Sequence, residues 1–553
     1  MIFGTLDAFV EPASPDLMLG KRVANLEFLK ALLRYGSFDE YHFFLPTNST
    51  RLNLQTALQK FRMDDTVSKK LKLYDFLDLR EKLTEQHYQV FHQGDFMTYF
   101  PALCFMRNKY ARKRFPITGV THSLSYRENA LKYFEILSSA GVEPYDSIIC
   151  TSSCARVVLE KIFELIGGNL LQRFNISVNY GGRLDYIPLG VDPEMFNRWD
   201  RKESRERLNL PLDKLVILSV SRFSAYDKMD LFPLLQAFKM VLDSLKVKNV
   251  LLLLAGADRL NYVSVLEDFS NKLGIREFVQ FRANFGEDEK RYIYSAADIF
   301  TSPSDNFQET FGLSVIEAMA SGLPVVVSDF NGYKDLVEHD VDGFRVPTYW
   351  ANCSDEISEL NTILFRDIYH LYYSQSIVVD VNIMAQYLLA LINNRDLRVR
   401  IGERARKSAE ESFSWKVIIK KYEDTWKSLY DLAQREEDRN SEIKDPFQLR
   451  YFDIFNHYIS AEIDEDWEVK TNDFGFDVLK RKFVFPIYSD MASMLSVNII
   501  FYIMTLAKDG FISVENIILF STKEWSVSKE KILYHIMWML KQNFLDVRFG
   551  GNR

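Results

Sequence analysis

Glu309 and Glu317 bracket the run ETFGLSVIE, with TSPSDNFQ before it and AMASGLPVVVSDFNG after it. Eight positions part the two carboxylates. That spacing sets Glu309 at a loop mouth and Glu317 one to two turns into the helix that follows. Ionised carboxylates accept hydrogen bonds from vicinal hydroxyls, so the pair can hold opposite ends of one ligand, a sugar at one end and a ribose at the other. Between them Phe311, Gly312 and Leu313 open the amphipathic stretch SVIEAMASG. Free N–H groups and the positive end of the helix dipole gather there and favour a phosphate, and Gly312 lets the backbone approach an anion closely. On spacing alone, an ordinary βα unit carrying two solvated acids reads the same way.

The elements that must position these groups follow from periodicity. ADIFTSP (297–303) is a short apolar strand stopped by Ser and Pro, and EDEKRYIYSA supplies the helix before it. VLLLLAGAD (250–258) and EFVQFRAN (277–284) read as buried strands in a βαβ alternation. KLVILSVSRFSAYDKMD (214–230) is an apolar strand ending in a loop with Arg222 and Lys228, at the strand's C-terminal edge, where open α/β sheets bind ligands. Arginine brings a bidentate fork and lysine a point charge; two loop cations are also commonly just solvated. Upstream, MIFGTLDAFV begins the first strand, Gly20, Lys21 and Arg22 precede the helix VANLEFLKALLRYG, and FPITGVTHSLSY (115–126) is a strand running into a polar loop with His122. Pro188, Gly190 and Pro193 interrupt YIPLGVDPEMF (186–196) as a linker does.

These motifs, in this order, resemble the retaining glycosyltransferases of family 4, which have the GT-B fold; the resemblance spans roughly residues 1 to 430. It implies an α/β architecture of two Rossmann-like domains facing a cleft. Residues 1–195 would be the acceptor domain, 196–415 the nucleotide-sugar donor domain, and 416–435 a helix crossing back to the first domain. By the resemblance, Glu309 contacts the donor sugar, Glu317 the nucleotide ribose, and the backbone of Phe311, Gly312 and Leu313 the diphosphate, while Arg222 and Lys228 hold that diphosphate without a metal. His122 stands where the family has a His near the anomeric carbon. Gly20 stands in for the family's Gly-rich turn, of which a single Gly is kept. Arg282 departs from the pattern, since the family usually has Gly there. Residues 351–380 lengthen the usual connection, and the loop around Asp305, Asn306 and Gln308 would set the choice of sugar.

The implied reaction moves a sugar from a UDP- or GDP-sugar to a hydroxyl of a glycan, lipid-linked or polypeptide acceptor, with retention. In the family's front-face route the leaving phosphate takes the acceptor's proton and no protein nucleophile is needed. Arg222, Lys228 and the helix N-terminus would meet the developing negative charge. The donor is a co-substrate, and no cofactor is called for. A catalytically silent GT-B binding or scaffold protein is the alternative; a scaffold has no need for four charged groups aimed at one cleft. A phosphorylase-like GT-B enzyme would need a pyridoxal-phosphate lysine, and no segment argues for one.

A chain of 553 residues is too long for one core. Its net charge of −8 argues against nucleic-acid binding, and four Cys with no signal-like start point to the reducing cytoplasm. The longest apolar stretch, MLSVNIIFYIMTLA (494–507), is short for a bilayer span. MRNKYARKRFP (106–116) clusters Arg107, Lys109, Arg112, Lys113 and Arg114 with Tyr110 and Phe115; it reads as a peripheral contact with an anionic lipid surface or phosphorylated acceptor, or as a solvated helix face. Asp340 and Asp342 have the Asp-x-Asp spacing of the metal-dependent glycosyltransferase fold, but Asp-Gly favours a turn ahead of FRVP. Cys150 and Cys154 lack neighbouring His or Cys, and Cys104 and Cys353 stand isolated, so no metal is expected.

The charged stretch QREEDRNSEIKD (434–445) marks a linker. After it, residues 446–553 read as a small, mainly helical, winged-helix-like domain: a strand in FVFPIY, helices in SMLSVNIIFYIMTLAKDG, ISVENIILFS and SKEKILYHIMWMLKQNF, then LDVRF. Ile532, Ile536, Met539 and Leu540 fall at helical spacing and form that domain's own core by default. Contact with a protein partner, a peptide acceptor or a second copy is the functional alternative.

Overall fold

The computed structural model describes residues 1–10, 20–61, 65–139, 141–353, 355–436, 448–482, 485–488, 491 and 494–548. The chain falls into two compact units. One comprises Met1–Leu45, Leu52–Tyr74 and Asp78–Asp445; the other comprises Pro46–Arg51, Asp75–Leu77 and Pro446–Arg553.

Among the described residues the first unit holds two large parallel sheets and a two-stranded ribbon. β1 (Ile2–Thr5), β2 (Glu40–Leu45), β3 (Leu71–Asp75), β4 (Tyr88–Gln93), β5 (Ile117–Val120), β6 (Ser147–Cys150) and β7 (Arg183–Tyr186) lie in the order β3-β2-β1-β4-β5-β6-β7. β8 (Leu215–Val220), β9 (Val250–Gly256), β10 (Val279–Ala283), β11 (Ile299–Ser302), β12 (Val325–Ser328) and β13 (Gly343–Val346) follow the order β10-β9-β8-β11-β12-β13, with every pair parallel. Strands in such a sheet are covered by helices on both faces, which is why β9 can be the unbroken apolar run VLLLLAG with every residue buried. Winding reverses between β1 and β4 and again between β8 and β11. Ligands of open α/β sheets sit outside the strand ends at such switch points.

Helix Trp415–Ala433 belongs to the core of the first sheet. Trp415, Ile418, Ile419, Tyr422 and Trp426 are buried there with Phe3, Phe28, Leu32 and Val90. Each such large side chain contributes about 2–3 kcal/mol on burial. The link into the second sheet and the return from it are bonded together: Val191 N–H donates to the Phe413 carbonyl at 2.8 Å, and Trp415 N–H to the Val191 carbonyl at 3.0 Å. Gly190 is required at this crossing, because a Cβ would stand 2.4 Å from the Trp415 indole.

Two further strands, β14 (Thr348–Tyr349) and β15 (Val378–Val379), pair antiparallel. They frame the added segment, which carries helices Asp355–Leu360 and Arg366–Ser374.

The second unit, described by itself, has the antiparallel order β17-β16-β18 from β16 (Glu468–Thr471), β17 (Ile512–Ser513) and β18 (Leu545–Arg548). Helices Val497–Leu506, Val514–Trp525 and Lys529–Lys541 pack with it, the last two capped by Ser513 and Ser528. Ile532, Ile536 and Met539 are fully buried and Leu540 packs against them. The strand expected in FVFPIY is absent at residues 485–488, while 483 and 484 lie outside the described residues. Among the described residues no helix is long and apolar enough to cross a membrane.

Candidate functional site

The loops after β8 and β11 meet at the second sheet's switch point, and buried polar side chains hold them. The Asp305 carboxylate accepts the Asp230 N–H at 3.2 Å, Asn306 donates to the Tyr226 carbonyl at 3.1 Å, and the Asn306 side-chain oxygen takes the Gln308 N–H at 3.0 Å. Burial pushes the Asp305 carboxyl well above the usual range, with the Asp230 charge adding to it. Asp305 and Asn306 are fully buried scaffold for the loop, which leaves Gln308 as the member of that trio reaching outward.

This scaffold presents two cations and a carboxylate. Arg222 donates to Asp227 Oδ2 at 2.7 Å and to Gln308 Oε1 at 3.2 Å. Lys228 donates to Glu309 Oε2, and Glu309 Oε1 accepts the Phe311 N–H at 3.1 Å. Burial by itself would raise the Glu309 pKa, but the Lys228 charge and hydrogen bond, with the N–H groups of Phe311 and Thr310, bring it below the ordinary value. The carboxylate is therefore ionised at neutral pH.

Gly312 caps helix Leu313–Ala320 with φ +116°, a backbone region that favours glycine. A Cβ there would stand 2.4 Å from the Tyr333 ring, and Tyr333 is itself fixed by a 2.8 Å hydrogen bond to Ser302 on β11. Phe311 is buried and Leu313 half-buried, so the N-terminus offers backbone N–H groups on a rigid seat.

Glu317 turns away from that end, toward helix Glu287–Ala296. Lys290 donates to its Oε1 at 2.5 Å and the Tyr294 hydroxyl to its Oε2 at 2.7 Å. All three side chains are buried. Burial raises the Glu317 pKa against the opposing pull of Lys290 and Tyr294, while the Glu317 charge keeps Lys290 protonated against its own burial. Glu317 thus anchors two helices, a role its position in the motif does not disclose.

In the first sheet His122 follows β5. Its Nε2 lies 2.6 Å from the Gly94 carbonyl; a carbonyl only accepts, so Nε2 carries the proton and Nδ1 is the acceptor in the neutral ring. Burial lowers the His122 pKa, Lys21 lowers it further, and Asp95 opposes. Asp95 pairs with Lys21 and caps helix Phe96–Tyr110 through the Met97 N–H at 2.9 Å. Gly20 begins helix Gly20–Tyr35, and a Cβ there would meet open space; residues 11–19 before it lie outside the described residues.

The structure thus brings together Arg222, Lys228, Glu309, Phe311, Gly312 and Leu313, sets His122 on the facing domain's loop, and pairs Glu317 with Lys290 and Tyr294 on the neighbouring helix. Sequence reasoning missed Asp227, Tyr126, Lys290 and Tyr294. Asp227, next to Lys228, was the one accessible from local sequence. Arg282 is tied to Glu289 at 2.9 Å. The basic run 106–116 is broken up: Arg107 is buried against Asp146, donating from Nη2 to Oδ2 at 2.9 Å, and Phe115 is buried too. Asp342 accepts the Glu338 N–H at 2.8 Å within the turn before β13. Among the described residues no three His, Cys, Asp or Glu side chains converge as a metal site.

Residues 200–362 match the family model of glycosyl transferases group 1. A Methanocaldococcus jannaschii protein known as an uncharacterised glycosyltransferase is 27% identical over 264 residues, covering 47% of this chain and 62% of that protein. The D-inositol 3-phosphate glycosyltransferase of Saccharomonospora viridis is 30% identical over 187 residues, 32% of this chain and 43% of that protein. The matches thus span less than two thirds of these relatives. Among solved structures, Anabaena HepE in complex with UDP superposes with a TM-score of 0.52 at 16% identity, over 77% of this chain and 99% of that one. Sucrose-phosphate synthase from Thermosynechococcus elongatus gives 0.51 at 18%, over 78% and 99%. At such identities the likeness is one of fold: two Rossmann-like domains in the GT-B arrangement, with a helical C-terminal region added.

Proposed function

We propose that the chain is a retaining, metal-independent glycosyltransferase that moves a sugar from a UDP- or GDP-sugar to an acceptor hydroxyl. The observation that carries this reading is the meeting of Arg222, Lys228 and Glu309 at the N-terminus of helix Leu313–Ala320, on a sheet switch point. Two cations and a helix N-terminus suit a departing diphosphate without a divalent ion. Glu309, ionised and held by Lys228, is placed to accept hydrogen bonds from sugar hydroxyls. His122, neutral with Nδ1 as acceptor, serves the sugar from the facing domain. Glu317 reaches the ribose by the family's pattern, and Gly20 lies at the first domain's helix entry. The acceptor is a glycan, lipid or polypeptide hydroxyl bound by residues 1–195, and the C-terminal unit, read as winged-helix-like, recruits a protein or a second copy.

Thermal-shift screening against UDP, GDP, ADP and their sugar conjugates, with and without chelator, tests the reading, since a ligand of the native state raises apparent stability. Stabilisation by one nucleotide in chelator, followed by transfer with retained anomeric configuration, is the expected result. One observation favours the silent-scaffold reading: both Glu317 oxygens are already engaged by Lys290 and Tyr294. Nucleotide binding without donor hydrolysis or transfer would select it.

A further inference from the structure

The segment 351–380, with Trp350 just before it, reaches the loops that carry His122, Lys228 and Glu309. From helix Arg366–Ser374, the Tyr369 hydroxyl accepts the Arg127 N–H at 3.0 Å, and His370 Nε2 donates to the Ser125 carbonyl at 3.3 Å. The His370 ring lies 4.9 Å from that of Tyr126. Just past the helix, Gln375 donates to Asp230 Oδ2 at 3.1 Å in the loop of Lys228. Phe307, in the loop of Glu309, packs edge-on against Tyr373 and Trp350 at 5.9 and 5.4 Å.

Tyr126, held in this way, receives a hydrogen bond from the Gln308 amide, whose oxygen accepts from Arg222 at 3.2 Å. We infer that Gln308 is a positioning residue for Arg222, coupling the guanidinium to the first domain through Tyr126, with helix Arg366–Ser374 as the strut that fixes Tyr126. This rests on the donor reading above, in which Arg222 addresses the diphosphate. The amide suits the task because it accepts from the cation on one side and donates on the other, and a guanidinium held at the correct angle presents its fork to phosphate oxygens.

The test is a double-mutant cycle on the full chain, with Tyr126→Phe and Arg222→Lys singly and together, read as calorimetric affinity for nucleoside mono- and diphosphates. Tyr126→Phe keeps the ring against His370 and removes only the hydroxyl. The expected result is a diphosphate affinity lowered about fivefold, a monophosphate affinity unchanged, and a double variant no weaker than Arg222→Lys alone, as for residues in one network. Tyr369→Phe should give a smaller loss of the same kind. Additive effects, an equal loss for mono- and diphosphate, or no change would overturn the inference while leaving the donor reading intact. Wild-type protein that binds no nucleoside diphosphate would overturn both.

Discussion

Lys228 and Glu309 form an ion pair that joins the loop after β8 to the loop after β11, and the second oxygen of the same carboxylate seats the Phe311 N–H. One carboxylate therefore sets the distance between a cation and a helix N-terminus. Under the proposed function both serve charge that develops as a diphosphate leaves, so Lys228→Ala should lower turnover about 10²- to 10³-fold. Nucleotide affinity should fall far less. Paired measurement of donor turnover and calorimetric affinity checks this, and equal losses in both would remove the assignment.

Glu317→Ala strands a buried ammonium. Against its burial, Lys290 keeps its charge chiefly through that carboxylate, and removing one partner of a buried pair costs about 3–5 kcal/mol. Urea denaturation should show that loss, and Lys290→Met combined with Glu317→Leu should recover most of it. Under the donor reading the double variant still binds nucleotide weakly for want of a ribose acceptor; wild-type affinity in it would assign Glu317 to structure alone.

Gly312→Ala places a methyl group against Tyr333 at a φ of +116°. Strain of this kind costs about 1–3 kcal/mol. Any relief must move the start of helix Leu313–Ala320. Thermal unfolding should show the loss of stability, and diphosphate affinity should fall with it.

Stability should decline on mild acidification, with His92 a principal cause. The ring is fully buried, with Phe28, Tyr422 and Trp426 at 4.9, 5.2 and 5.3 Å, and burial lowers its pKa to about 3. The unfolded chain takes up this proton near pH 6.5 and the native chain does not, so stability is full above that pH and is lost as pH falls toward 3. Urea midpoints at pH 7.5, 6.5 and 5.5 should fall in order, and His92→Phe should reduce the slope by the share of one proton.

The alternation of strands and helices was legible because strands buried on both faces read as continuous apolar runs, and VLLLLAG and ADIFTSP stop at the loops that matter. Glu309 and the Phe311–Leu313 turn were legible for the same reason. The partners of Glu317 were not, since Lys290 and Tyr294 stand 27 and 23 residues away on a helix whose charges look solvated. Arg107 looked like its neighbours in a basic run, yet it is buried against Asp146, 39 residues on, and the carbonyls of Phe115 and Gly141. The strand Glu468–Thr471 was missed because EVKT is too short and too charged to show alternation.

Trp426 lies 5.7 Å from Phe3 and 5.8 Å from Phe38, so one wall of the first domain is made of residues translated more than two hundred positions after that domain's last strand. On a ribosome, N-terminal domains ordinarily close while the rest of the chain is still being made. This one lacks the wall that covers Phe3, Phe28 and Phe38 until helix Trp415–Ala433 has emerged. The core of the first domain is therefore completed only after the whole second domain has been made.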